Sequence, residues 1–436
     1  MQDYNDSNQR NRKQGVRRPS GGQQQRPQGQ GVKRSVNGQR RPSGQPGPRG
    51  QQRPLNAPKR PTAAPKARPK KKAKKKKWKI ALFVVELLVI CILIGVCWAM
   101  SKANKIQHVK ITEEEKKEEL AIDEGIMESE ALKGYRNIAL FGVDSREGQL
   151  DKSTRTDTIM IASINLDTKE VKLVSVYRDT WLNLSTDSYN KANSAYARGG
   201  YKQAIAMLNM NFDLNIEDFV TIGFDGLIDV IDAVGGIEID VKEAEIPHIN
   251  SYQKSMVGHQ TGELNAAGEP EYYAEPYVEY MPVEHAGAQT LNGLQATAYA
   301  RVRYVGSDLE RASRQRTVLT KVAKKAMTLN PATLNRIADA VFPKVMTSLE
   351  LSEILDLLKD IASYDIGETT GFPFEDYIVP NGHVGSASVV VPVDLEKNVS
   401  LLHEFLFADE TYEPSDTVKK CSQKIASDTG ISYNGE

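Results

Sequence analysis

The chain has 436 residues and a formal net charge of +1, which is room for one large domain or two ordinary ones. The near-neutral total conceals two opposed segments: residues 1–79 carry 24 Lys or Arg against only Asp3 and Asp6, a net of +22, and the remainder is −21. Of three cysteines, Cys91 and Cys97 fall in an apolar run and only Cys421 lies in the acidic part, which excludes a fold stapled by internal disulfides there.

Taken in chain order, residues 1–79 are rich in Gln, Gly, Pro, Arg and Ser. They cannot bury enough apolar surface to offset ordering entropy, so a disordered basic tail is expected. A lysine block, 70–77, precedes IALFVVELLVICILIGVCWAM at 80–100. Those 21 residues match the roughly 20 needed to cross a bilayer. The positive-inside rule puts the tail in the cytoplasm and the C-terminal domain outside. A cleaved signal peptide is disfavoured, because the run is long and lacks a small-x-small exit. Glu86 within the span is expected to be protonated or to snorkel toward the cytoplasmic side. The tail has no aromatic interleaving and abuts the membrane, so its expected partner is anionic lipid and not nucleic acid. Residues 101–131 are charged and helix-favouring and read as a stalk.

The folded pattern starts near Tyr135. NIALFGV (137–143), TIMIASINL (158–166) and VKLVSVY (171–177) are short, β-branched and bounded by turn residues, the pattern of strands. The brief turn at 167–170 makes the second and third a hairpin. If the first also pairs antiparallel with the second, Asp144, Asp157 and Arg178 share one end of the sheet, together with Arg155 from the intervening loop. YKQAIAMLNMNF (201–212) and FDGLIDVIDAV (224–234) have helical spacing, the latter stopped by Gly235-Gly236. IEIDV (237–241) reads as a strand, 242–288 as irregular with a Tyr/Glu-rich insertion at 268–282, and ATAYARVRYV (296–305) as another strand. Helices are predicted from Asp308 (DLERASRQRTVLTKVAKKAM), in ATLNRIADAVFPKV and in LSEILDLLKDIA. The strand ASVVVPV (387–393) and a short helix at 396–407 close the domain at 408, with 409–436 as a C-terminal tail. Intermingled strands and helices define a mixed α/β class with a central, mostly antiparallel or mixed sheet packed by helices.

Five arginines, Arg301, Arg303, Arg311, Arg314 and Arg316, fall within sixteen residues of an acidic domain. On the predicted strand Arg301 and Arg303 share a face, and on the predicted helix Arg311 and Arg314 do so. A helix N-terminus flanked by arginines attracts an oxyanion such as phosphate. The plain alternative is a solvated basic face, with Asp144 and Asp157 as turn formers and Asp308 as a helix N-cap. Two carboxylates beside arginines also suit Mg²⁺ holding a polyphosphate. The histidines show no metal-ligand spacing, and there is no Walker A loop or G-x-S-x-G elbow. Transfer of a phosphoryl group by positioning and charge requires none of these.

ALFGVDSR, TRTDTIMIASIN, LVSVYRDTW, YNKANSAYARGG, FDGLIDVIDAVGGIEIDV, QTLNGLQATAYARVRY and DLERASRQRTV resemble, in order and spacing, the LytR–CpsA–Psr family across 132–408. The resemblance implies a catalytic domain on the outer face of a Gram-positive type membrane. Such a domain moves an anionic glycopolymer, teichoic acid or capsule, from an undecaprenyl-pyrophosphate carrier to peptidoglycan through a phosphodiester. It implies Mg²⁺ at Asp144 and Asp157, and pyrophosphate held by Arg155, Arg178, Arg301, Arg303 and Arg311 with Gln315 nearby. It also implies a catalytic set of Asp308, Arg178 and Arg303, and an apolar pocket for the polyprenyl tail between sheet and helices. Arg198 matches a family position as well, and Arg314 and Arg316 contribute or support. Two other functions fit the tether: a non-catalytic lipid-pyrophosphate scaffold and a membrane-tethered transcriptional regulator. The long basic tail and the 268–282 insertion depart from the family pattern.

Overall fold

The structure is a computed structural model that describes residues 105–144, 150–151, 154–265 and 270–432, with Ile90 and Ser101 as isolated positions. The expected tail (1–79) lies outside the described residues, as does the expected span (80–100) apart from Ile90. Parts of the 144–157 loop and of the insertion lie outside them too. Among the described residues no helix is long and apolar enough to cross a membrane.

Three strands form the centre as the sequence predicts: β1 (Tyr135–Val143), β2 (Thr156–Asn165) and β3 (Glu170–Val176). β1 pairs antiparallel with β2, and β2 with β3. The long helix α1 (Asn193–Phe212) follows, then β4 (Asp218–Gly223), which returns parallel to β1. Helix α2 (Phe224–Ala233) stops at Gly235 and Gly236, whose φ values of 81° and 75° lie where side chains with a Cβ are strained. β5 (Ile237–Val241) leads through α3 (Ile246–Val257) to its antiparallel partner β6 (Gly287–Leu291). Helices α4 (Gly293–Arg301), α5 (Asp308–Ala326) and α6 (Pro331–Val341) come next, then β7 (Val345–Thr347) and α7 (Leu351–Lys359). β8 (Asp365–Phe372), the hairpin β9 (Ile378–Val384) and β10 (Ala387–Pro392), α8 (Leu395–Phe407) and α9 (Asp416–Thr429) complete the fold. The main sheet has seven strands, ordered from the two-residue strand Gln107–His108 through β7, β4, β1, β2 and β3 to β8. It is mixed, with parallel pairs at β1–β4, at β3–β8 and between Gln107–His108 and β7.

The period-2 alternation of the strands sends side chains into two different layers. From β1, Ala139, Phe141 and Val143 face a core shared with Ala204, Ile205, Leu208 and Phe212 of α1 and with Leu402 and Leu406 of α8. On the opposite face Leu140, Gly142, Thr158, Met160, Val220 and Ile222 form the floor of a cavity under α2, α4, α5 and α6. Each fully buried Leu, Ile or Phe contributes roughly 1.5–3 kcal/mol, so the first face carries most of the stability and the second leaves room.

Five sequence expectations are corrected. Residues 296–301 are helical, because Asn292 and Gln295 form a reciprocal capping box and the run is alanine-rich. The segment 242–288 contains α3 and a hairpin of His259–Leu264 with Pro270–Tyr273. The expected stalk enters the core through Leu120, Ile122 and Ile126, and the expected C-terminal tail does so through Val418, Cys421 and Ile425. Ser307, not Asp308, is the N-cap of α5: its hydroxyl accepts from the Leu309 amide and Glu310 bonds back to it.

Candidate anion site at the end of the sheet

Asp157 is the extra residue of a β-bulge, since Gly142 opposes Thr158 while Val143 opposes Thr156. A bulge re-aims the inserted side chain, and here Asp157 meets Arg178 from the end of β3, whose Nη1 donates to Oδ1 at 2.6 Å. Arg303 Nη2 approaches the same oxygen at 3.7 Å. Arg178 Nε lies 3.5 Å from Asp308 Oδ2 and 3.8 Å from Asp179 Oδ1. The hairpin and the antiparallel β1–β2 pairing therefore bring Asp157 and Arg178 together as expected, and Asp144 ends β1 at the same edge, exposed. Arg155 is exposed just ahead of β2.

Because Ser307 takes the cap, Asp308 occupies the first turn of α5 facing two arginines. Arg311, one turn on, places Nη1 3.4 Å from Asp308 Oδ1 with its side chain only 4% exposed. That is an ion contact without hydrogen-bond geometry, and Nε and Nη1 of Arg311 have no hydrogen-bond partner. Burial, then the cations Arg178 and Arg303, push its guanidinium down to about 10, against the pull of Asp308 and Asp157. Arg178 is affected the other way. Burial works against its charge, but Asp157, Asp308 and Asp179 outweigh it and raise the value. An under-compensated, desolvated cation beside a helix N-terminus is a receptor for an anion.

Arg301 and Arg303 do not share a strand face. Arg301 is the last residue of α4, its guanidinium 4.4 Å from the centre of the Phe224 ring and 5.3 Å from that of Tyr252, an arrangement favourable for a cation over an aromatic face. Arg303 sits in the following loop. That loop is pinned by Arg314, which donates to the Val302 and Val305 carbonyls at 3.1 and 2.5 Å and pairs with the buried Glu245 at 2.8 Å. Arg314 thus supports the site and does not line it. Arg316 packs against Tyr177; burial lowers its guanidinium value and the tyrosine opposes this. Arg198 lies elsewhere, bonded to Ser188. Glu245, Tyr177 and Asp179 are missing from the sequence-derived set. Of these, only Asp179 carried a signal, its adjacency to Arg178.

Arg301 and the half-buried Gln315 line the apolar cavity, about 310 Å³, whose other walls include Phe224, Leu227, Val318, Leu319, Val322 and Val341. Gly142 keeps its floor low: a Cβ there would stand 2.9 Å from the Cβ of Thr158. Among the described residues no group of three or more His, Cys, Asp and Glu converges as a metal cluster.

The fold thus combines an arginine-rich cluster at one end of the sheet with an apolar cavity walled in part by Arg301 and Gln315. The chain belongs to the LytR–CpsA–Psr family, whose family model (LytR_cpsA_psr) matches residues 95–383. It is 27% identical over 322 residues to the polyisoprenyl-teichoic acid–peptidoglycan teichoic acid transferase TagT of Bacillus subtilis, covering 71% of this chain and 90% of that protein. It is 31% identical over 257 residues to biofilm regulatory protein A of Streptococcus mutans. That match spans 54% of this chain and little more than half, 57%, of the relative. The fold is shared with a crystal structure titled as a transcriptional regulator from Enterococcus faecalis, at 24% identity and a TM-score of 0.50, covering 70% of this chain and 98% of that one.

Proposed function

We propose that the chain transfers an anionic glycopolymer, teichoic acid or a similar polymer, from a polyprenyl-pyrophosphate carrier to peptidoglycan, outside the membrane to which residues 80–100 tether it. The observation that carries this reading is Arg311, a buried cation with unsatisfied donors, set among Arg178, Arg303 and Asp308. The apolar cavity lined by Arg301 and Gln315 supports the lipid half of the substrate, and the name of TagT supports the polymer and acceptor.

In this reaction an acceptor hydroxyl attacks the glycan-linked phosphorus. The new P–O bond is the phosphodiester, the broken one is the pyrophosphate bridge, and polyprenyl phosphate leaves with the electron pair. Arg178, Arg303 and Arg311 hold the phosphate oxygens and stabilise charge as it develops. Arg301 and Arg155 extend that hold, while Gln315 and the cavity fix the lipid. Asp308, kept in place by Arg178 and Arg311, takes the proton from the attacking hydroxyl. Asp144 and Asp157 would hold Mg²⁺, a hard cation that favours carboxylate oxygens. When bound, the ion supplies neutralisation of pyrophosphate charge.

The test is to incubate the membrane-reconstituted chain with labelled lipid-linked glycan and peptidoglycan, with and without Mg²⁺. Covalent label in the wall fraction, dependent on Mg²⁺, is the expected result. Tight lipid binding with no covalent product would refute transfer in favour of a scaffold.

A further inference from the structure

Helix α7 is amphipathic, LSEILDLLK, and its apolar side chains are only half-buried. Its apolar side faces α6 across an open groove of about 770 Å³, lined by Leu329, Leu334, Phe342, Leu351, Leu355 and Leu358 and bordered by Lys359 and Asn335. An unfilled apolar groove of this size marks an interaction surface. The path of the chain says what meets it. The expected span ends at Met100, and Lys105 is already tied to α6 through Asp339, Nζ to Oδ1 at 2.6 Å. Gln107–His108 then pairs with β7, the strand that follows α6. Five residues reach at most ~18 Å, so α6 lies close to the bilayer surface wherever the span ends in it.

Helix α6 is also two-sided. Val341 lines the cavity that Arg301 and Gln315 also line, while Asn335 and Ala338, with Phe342 just past the helix end, line the groove. We propose that the α6–α7 groove seats in the acyl-chain region of the outer leaflet, so that a lipid-linked substrate moves its hydrocarbon tail along α6 into the cavity without crossing water. Leu334, Leu355 and Leu358 enter the leaflet, and Lys359 stays at the headgroup level, where its long stem allows its charge to remain solvated. This inference rests on the tether and lipid-substrate reading above, and its test is separable from transfer.

Full-length protein is reconstituted in phosphatidylglycerol–phosphatidylcholine vesicles that carry an alkyne-tagged acyl chain. The photoreactive residue p-benzoylphenylalanine stands in place of Leu355, of Leu334 or, as a control, of the exposed Lys420 on α9. Flotation with the vesicles reports the tether, and lipid tag on the protein after illumination reports docking. The expected result is flotation of all three variants, with tagging at Leu355 and Leu334 several-fold above that at Lys420. Flotation with equal tagging at the three positions, or crosslinks joining two copies of the chain, would overturn docking and leave the transfer reading intact. Failure to float would overturn the tether, and docking with it.

Discussion

Arg136, about a quarter exposed, and the buried Arg311 sit at two ends of the same molecule, and their surroundings treat the charge in opposite ways. At the start of β1, Arg136 donates to Asp218 at 3.1 and 2.7 Å and to Glu353 at 2.6 Å. Lys116 beside it meets Glu217 at 2.6 Å. Burial disfavours the Arg136 charge, but Asp218 and Glu353 more than restore it and raise the value. At the other end, Asp157 and Asp308 are shared among Arg178, Arg303 and Arg311, with contacts lengthening from 2.6 to 3.7 Å. Arg311 is left with its value lowered to about 10. Opposite charges at contact distance offset desolvation only when their number and geometry match. The first end is therefore a finished structural clamp, and the second leaves Arg311 under-compensated, as the proposed anion site requires.

The largest effects are expected at the unfinished end. Arg178→Ala and Asp308→Ala should each lower transfer by about 10²–10³-fold, the scale of losing one charge-stabilising group, while circular dichroism stays native. Arg314→Ala comes next, since it leaves Glu245 charged and unpaired in a site where both side chains are under a tenth exposed. Roughly 3–5 kcal/mol of stability should be lost, read as a lower denaturant midpoint, and transfer should fall because the loop carrying Arg303 loses its anchor. Arg136→Ala should cost roughly 1–2 kcal/mol and leave transfer per folded molecule unchanged. A loss of transfer there would break the division between the ends.

The smallest effect is a pH dependence. Burial acts to raise the Glu353 carboxyl, yet the Glu350 amide and Arg136 hold it below its ordinary 4.5. A depressed carboxyl stabilises the fold above the unfolded value, and that stability is lost as pH falls through the folded value. Denaturant midpoints should therefore decline on acidification below about 4.5, and less steeply in Arg136→Ala. Partial exposure of Glu353 keeps the magnitude small.

Connectivity explains how much of this was legible in the sequence. A short turn at 167–170 and three β-branched runs were enough to put Asp157 and Arg178 at one sheet end. Charge clustering nominated Arg301, Arg303, Arg311, Arg314 and Arg316, and the resemblance then assigned roles to them and to Arg155 and Arg198. What stayed hidden depends on one-residue detail or on tertiary burial. The bulge that turns Asp157 toward Arg178 is a register slip invisible to alternation. Residues 296–301 carry Tyr, Thr and a following Val-Arg-Tyr-Val that imitate a strand, and only Asn292 with Gln295 marked a helix start. Asp308 has the composition of an N-cap, but Ser307 before it holds the capping box and frees Asp308 for the site. Nothing local distinguishes Arg314, which clamps a loop, from Arg311, whose Nε and Nη1 have no partner. Their separation depends on where Glu245 arrives from 69 residues away. The helix α9 was missed because its apolar positions are few and spaced among lysines and serines, though Val418, Cys421 and Ile425 suffice to dock it.

The most direct measurement is calorimetric titration of the detergent-solubilised full chain with inorganic pyrophosphate, comparing the native protein with Arg311→Ala and Arg136→Ala. The account predicts binding by the native protein and by Arg136→Ala with similar affinity, and binding weakened at least about tenfold, or 1.4 kcal/mol, in Arg311→Ala. Equal affinity in all three, or loss only in Arg136→Ala, would contradict the assignment of the unfinished end as the pyrophosphate site.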